Sequence, residues 1–220
     1  MPTLLLRLQG PMQSWGTRSR FDERDTALEP SKSGVLGLVS AALGRGRDED
    51  ISDLAALRMG VRVDREGALR YDYQTAQEVL RADGAGLQPT VQSRRYYLSD
   101  AAFLVGLEGP DRPLLEAVYQ SLRAPRWTLF LGRKGYLPSA PVWLPDALVD
   151  AHLDEALRRY PPLVEDLPEV IRFVIESSSG RLCMDQPLAP FARRRFGARY
   201  VSSFTHRREE VGPCTSPSCA

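Results

Sequence analysis

Lysine is almost absent from this 220-residue chain: Lys32 and Lys134 are its only two, so nearly all of its 29 lysine and arginine cations are arginine. Cations (29) and carboxylates (28) almost balance to a net charge of +1, which excludes a uniformly basic nucleic-acid coat while leaving room for a local basic groove. Histidine occurs only as His152 and His206. Cysteine is scarce and odd in number, with Cys183 isolated and Cys214 and Cys219 in a Pro/Ser-bearing tail, which argues for reduced thiols against a disulfide framework. His206, Cys214 and Cys219 lack the paired C-x2-C spacing of a zinc site, so neither a metal nor any other cofactor is expected. No stretch approaches the roughly 20 apolar residues that span a bilayer. The start MPTLLLRLQG has neither a basic leader segment nor a cleavage site, so a cytoplasmic protein with no membrane partner is expected.

What is present is an ordinary globular composition, 43% hydrophobic and 26% charged, sufficient for a real core. Leu4 to Leu8 reads as a buried strand, and GVLGLVSAALG after Ser33 reads as a helix capped by that serine and ended by Gly44. Ile51 to Leu57 suggests a helical turn. Met59 to Val63 alternates like a strand, Arg65-Glu66-Gly67 makes a turn, and Leu69 to Thr75 is expected to pair back as a hairpin. AQEVLRADGAGLQPTVQS, residues 76–93, loses the pattern and reads as an excursion between strands. Strand character returns at Arg95 to Leu98 and Ala101 to Leu107, helical spacing at Leu114, Leu115, Val118 and Leu122, and a strand at Trp127 to Leu131. The order is that of a split β-α-β, ferredoxin-like α+β domain. Pro138, Pro141 and Pro145 mark a boundary near residue 140. Beyond it a helix over 147–159, strands over 170–176 and 196–204, and the basic lead-in Arg193-Arg194-Arg195 form a smaller piece, with a disordered tail over 207–220.

Three segments carry the chemistry. GPMQSWG, residues 10–16, follows a strand directly and offers Gln13, Trp15 and Gly16 at its end; Trp15 either stacks a base or packs into the core. Arg18, Arg20 and Arg24 follow in the same loop, interspersed with Asp22, Glu23 and Asp25. SKSG, with Lys32 and Ser33 at a helix start, is suited to phosphate through free backbone N–H groups and the helix dipole, although a cap without a ligand has the same sequence. GRKGY is the most specific: Gly132 and Gly135 allow close backbone approach, Arg133 and Lys134 supply charge, and Tyr136 offers a ring, as in a single-strand RNA clamp, although a plain hairpin turn has the same composition. Neither GxxxxGK[ST] nor GxGxxG occurs. Metal-independent RNA cleavage needs a general base, and neither histidine lies near the glycine loop in sequence, which leaves Tyr136 with Lys134 as a substitute pair.

LLLRLQGPMQSWG, SKSGVLGLVSAALG, SRRYYLSDAAFLVGL and PRWTLFLGRKGYLPSAPVWL, in this order and spacing, resemble the type I-E members of the fifth family of CRISPR-associated proteins, RAMP-superfamily subunits of Cascade. The likeness covers roughly residues 4–145, with weaker agreement near Phe196 to Val201. It implies an RRM-like (ferredoxin-like) RAMP domain over 1–140 with a thumb-like insertion at about 77–93, and a small C-terminal β-rich region over 141–206. It implies a non-catalytic subunit that holds the 5′ handle of the crRNA and caps one end of the backbone filament, in antiviral defence. The implied partners are the crRNA, a backbone subunit of the CasC family, a large subunit of the CasA family and, indirectly, target DNA. Carried over by position, Gln13, Trp15, Gly16, Arg18, Arg20, Lys32, Ser33, Arg95, Gly132, Arg133, Lys134 and Tyr136 face RNA, and Val79, Leu80, Leu87 and Val91 on the thumb face the partner subunit. The chain departs from the family's Ser-Cys at Gly135-Tyr136. The alternative is a metal-independent endoribonuclease that processes precursor crRNA, as type I-C relatives do.

Overall fold

A computed structural model of the chain describes residues 1–16 and 22–212. Its elements in chain order are β1 (Thr3–Gln9), β2 (Met12–Gln13), β3 (Glu23–Arg24), α1 (Lys32–Leu43), α2 (Ser52–Ala55), β4 (Arg58–Arg65), β5 (Ala68–Leu80), β6 (Leu87–Ser99), β7 (Ala102–Glu108), α3 (Arg112–Arg123), β8 (Trp143–Val149), α4 (Leu153–Arg159), β9 (Val170–Ser177), β10 (Arg181–Pro187) and β11 (Phe196–Arg207). Strands β4, β7, β1 and β8 lie side by side in that order, antiparallel, with α1 and α3 as the crossings: this is the expected βαββαβ arrangement. β9, β11 and β10 continue the sheet beyond β4 to seven strands, so residues on both sides of the proline-bearing stretch near 140 share one sheet.

Burial follows from the sequence pattern. β7 is buried at every position and β1 at five of its seven, because both faces of the sheet centre are covered. One face carries Gly60 and Gly106, directly paired, and α4 sits on them: a β-carbon on Gly106 would come within 2.5 Å of Leu153 Cδ1. The other face carries Met59, Val61 and Val174, which line a cavity together with Ala27, Glu29, Pro30 and Ser31 of the segment leading into α1. Arg62 and Asp64, both fully buried on β4, fasten α4. The guanidinium bonds Asp64 through two nitrogens and donates to the carbonyls of Leu157, Tyr160 and Pro161, which uses the donors that burial would otherwise strand.

Several sequence expectations are corrected. Leu69 to Thr75 does not pair with Met59 to Val63; β4 pairs with β7 and β9, while Gly67, at φ +73°, turns the chain out of the sheet so that β5 pairs with β6 along its length. The excursion over 77–93 is therefore the outer part of a two-stranded ribbon with its tip at 81–86. It was illegible as strand because both of its faces meet solvent, so its alternation is not hydrophobic. Trp127 to Leu131 is not a strand. Its backbone docks on the end of α1 through Arg126 N to Ala42 O (2.9 Å) and Trp127 N to Ala41 O (3.2 Å), and the fourth strand of the βαββαβ unit is β8. β8 tolerates Pro145 because it lies at the sheet edge. The helix expected over 147–159 begins only at Leu153, and the cap of α1 is Ser31, not Ser33: Ser31 Oγ accepts from Gly34 N. Of the tail, β11 runs to Arg207 and a 3-10 turn spans Arg208–Glu210, with the remainder beyond residue 212 outside the described residues.

Candidate nucleic-acid interface

The glycine loop is built on β1, α1 and the ribbon together. Gly10 ends β1 where Leu137 crosses it; a β-carbon there would stand 2.8 Å from Leu137 O. β2 then pairs with the base of β6 (Met12 with Ser99, Gln13 with Leu98). Ser14 N donates to Leu131 O (3.1 Å) and Ser14 Oγ to Tyr96 O (3.2 Å), so one residue joins the opening loop, the glycine loop and the ribbon. The glycine loop closes on itself through Leu131 N to Tyr136 O (2.8 Å) and Tyr136 N to Arg133 O (2.9 Å). Gly132 adopts φ +94°, a conformation that favours glycine.

Within this frame the residues expected to face RNA divide. Gln13 is fully buried, its Nε2 donating to Leu8 O and Ala101 O: it is a brace, not a contact. Trp15 is 1% exposed and lies over Gly34 of α1, so of the two readings it is the core packing that holds. Lys32 is also 1% exposed, its Nζ 3.0 Å from Glu176, which removes it as a phosphate contact. Its backbone N–H bonds Asp185, which Arg199 also holds, so an ion network ties the start of α1 to β9, β10 and β11. Burial pushes the Lys32 ammonium down from its ordinary value and Glu176 opposes the shift. Tyr136 is buried, packed on Tyr97 (centroids 5.9 Å) with Arg133 over its ring. Arg133 donates to the Tyr136 hydroxyl (3.0 Å) and to Arg24 O (3.1 Å), so it shapes the loop as well as charging it.

Gly16, Gly132 and Lys134 are exposed, Ser33 is half-buried in the first turn of α1, and Arg18 and Arg20 lie outside the described residues. Arg95 is half-buried on β6, its Nε donating to Ser93 Oγ, directly opposite Asp72 and beside Arg24 of β3. By register Leu87, Val91, Arg95 and Tyr97 share one face of the ribbon, and Leu80 joins it opposite Leu87; Val79 lies on the other face. One ribbon face thus runs from an apolar tip, where Leu80 is 67% and Leu87 57% exposed, down through Arg95 to the glycine loop. Sequence reasoning missed the exposed Arg70 opposite Tyr97, and the exposed Tyr71 and Tyr73 on the far face; their alternation within 69–75 was the available signal. Both histidines are engaged away from this loop: His152 Nδ1 is 2.9 Å from Glu108 and His206 Nδ1 is 2.6 Å from Glu210. No helix among the described residues is long and apolar enough to cross a membrane.

A ferredoxin-like sheet with a long two-stranded ribbon and a cation-bearing glycine loop after its second crossing helix defines an RRM-like protein of the RAMP type. Comparison with known proteins narrows this. The family described as CRISPR-associated protein (Cas_Cas5) matches residues 3–202, and the chain belongs to that family. It is 34% identical over 180 residues to the CRISPR system Cascade subunit CasD of Escherichia coli (strain K12), covering 74% of this chain and 79% of that protein. A solved structure described as a Cas protein superposes with a TM-score of 0.82 at 54% identity, covering 97% of this chain and all of that one. A chain of a solved CRISPR RNA-guided surveillance complex superposes with a TM-score of 0.77 at 30% identity, covering 97% of this chain and 95% of its own.

Proposed function

We propose that this protein is the CasD-type subunit of a Cascade surveillance complex, that it binds crRNA by the 5′ handle, and that it caps one end of the backbone filament without cutting RNA. The observation that carries the reading is the full-length likeness to a chain of an RNA-guided surveillance complex, joined to a glycine loop that leaves Lys134 exposed and unpaired among the described residues. Handle phosphates meet Lys134 and Arg133, with Arg95 and Arg24 at the foot of the ribbon, and base edges are read where the strand leaves the loop. The apolar ribbon tip, Leu80, Leu87 and Val91, meets the adjacent backbone subunit, and the large subunit docks beside it.

The absence of catalysis is supported by chemistry. RNA cleavage without metal needs a base free to take the 2′-hydroxyl proton, and the residues nearest the loop cations are committed elsewhere. The Tyr136 ring is buried and its hydroxyl is held by Arg133, while each histidine holds a carboxylate on another element.

Lys134 gives the clean test, because Arg133 also supports the loop. Lys134→Ala should weaken binding of a handle-bearing crRNA and flatten the dependence of log affinity on log salt by about 0.7 per lost phosphate contact. An unchanged affinity and slope would reject the interface. Site-specific cleavage of repeat RNA by the purified protein in EDTA, abolished by Lys134→Ala, would reject the non-catalytic reading.

A further inference from the structure

We propose that the groove between α1 and the segment 127–132 is a pocket for one unstacked RNA base, entered from the glycine loop. This rests on the RNA-binding reading above and assigns it a place where a base, not a phosphate, is recognised.

The floor of the groove is a stripe of small residues on one face of α1, Gly34, Gly37 and Ala41, at helical spacing. Its walls are aromatic. Phe191 stands over Gly37, its Cζ 3.8 Å from where a β-carbon would lie, and Trp127 and Phe130 line the groove from the segment docked on α1. Trp127 is 46% exposed, so its ring is open to a ligand from solvent. The cavity is about 370 Å³, within the range of about 300–1,000 Å³ for ligand pockets. Two hydroxyls, Ser33 and Thr128, line it and make no side-chain hydrogen bond among the described residues, so they remain available to a base edge.

Charge decides between a base and an apolar side chain of a protein partner. No carboxylate lines the groove, and Arg45, which does, is bonded to both oxygens of Asp53. Arg47, which lines the groove, is exposed and has no ion pair among the described residues, and neither has the exposed Arg126, next to Trp127 in sequence. An aromatic slot rimmed by unpaired arginines suits a base carried on a phosphate chain. The groove also reaches Gly132, so a strand crossing Lys134 arrives at the slot without leaving the surface.

Two variants of the full chain test this. Gly37→Leu fills the slot; Gly37 is helical, and a β-carbon there meets only Phe191 at ordinary contact distance, so a far-ultraviolet spectrum and melting curve like those of wild type are expected. Trp127→Ala removes a wall. The probe is handle-bearing crRNA, with an abasic site moved through the handle one position at a time. Each variant should weaken binding about 5- to 150-fold, the range for losing one base–aromatic stack, with the salt slope unchanged. One abasic position should cost wild type as much and cost Gly37→Leu nothing further. Wild-type affinity in both variants, or abasic losses that add to Gly37→Leu at every position, would overturn the pocket. So would an intact RNA affinity combined with lost assembly of Gly37→Leu with a protein subunit. If Lys134→Ala weakens binding while both groove variants bind normally, the pocket alone fails; if all three bind normally, the RNA-binding reading fails with it.

Discussion

A β-carbon placed on Gly132 would stand 1.8 Å from the backbone oxygen of Ser14, at a residue whose φ is already +94°. Two faults therefore coincide in Gly132→Ala: a backbone conformation that favours glycine and an overlap with backbone that cannot swing aside. Ser14 is also the residue that joins the opening loop to Leu131 and Tyr96, so relief of the overlap should part the loops that build the interface. Gly132→Ala is expected to cost about 1–3 kcal/mol in chemical denaturation and to weaken crRNA binding. Gly135→Ala is the control, since nothing lies within 4 Å of its β-carbon, and it should match wild type in both measurements.

Lys32 separates a structural cation from an RNA-binding one. Its ammonium is covered and bonded to both oxygens of Glu176, which would keep only Arg199 and the Met59 N–H among the described residues, so Lys32→Ala should destabilise the chain by about 1–3 kcal/mol. The fraction that folds should bind crRNA with the wild-type salt slope, because no phosphate contact is lost. A normal melting curve combined with a reduced slope would return Lys32 to the RNA surface.

Arg62 makes the same point on the opposite face of the sheet. Arg62→Met strands Asp64, fully buried, and the carbonyls of Leu157, Tyr160 and Pro161 at the end of α4. A loss of about 3–5 kcal/mol is expected, and Arg62→Met with Asp64→Leu should be less destabilised than Arg62→Met alone, because the second change removes the unpaired charge. An equal or larger loss in the double variant would locate the stability in the carbonyl contacts.

Legibility in the sequence followed the reach of the interactions. α3 could be read because the apolar spacing at Leu114, Leu115, Val118 and Leu122 lies within one segment. The glycine loop could be read because its glycines and cations are contiguous. Lys32 looked like a phosphate ligand because its partner, Glu176, is 144 residues away. Trp127 to Leu131 looked like a strand because a segment packed on a helix buries the same kinds of residue as one packed in a sheet. The arginines after Phe191 are visible as a basic run, but nothing local connects that turn to the loop after α1; the backbone bond from Ala192 N to Arg47 O does so in three dimensions.

Glu108 makes the fold sensitive to acid. It is 3% exposed on β7, and burial alone would raise its carboxyl; hydrogen bonds from His152 and Arg58, with Leu153 N, outweigh that and hold it below its ordinary value of 4.5. His152 makes no capping bond of its own, so Glu108 Oε1 serves as the acceptor at the start of α4. A carboxyl whose folded pKa lies below its unfolded one contributes stability above the unfolded value and loses it as pH falls through the folded one. Wild type should therefore lose more unfolding free energy than Glu108→Gln between about pH 7 and about pH 3, with the two curves converging at the acid end. Denaturant titrations across that range decide it: parallel curves would mean that Glu108 titrates alike in the folded and unfolded chains, and that the acid sensitivity of α4 has another source.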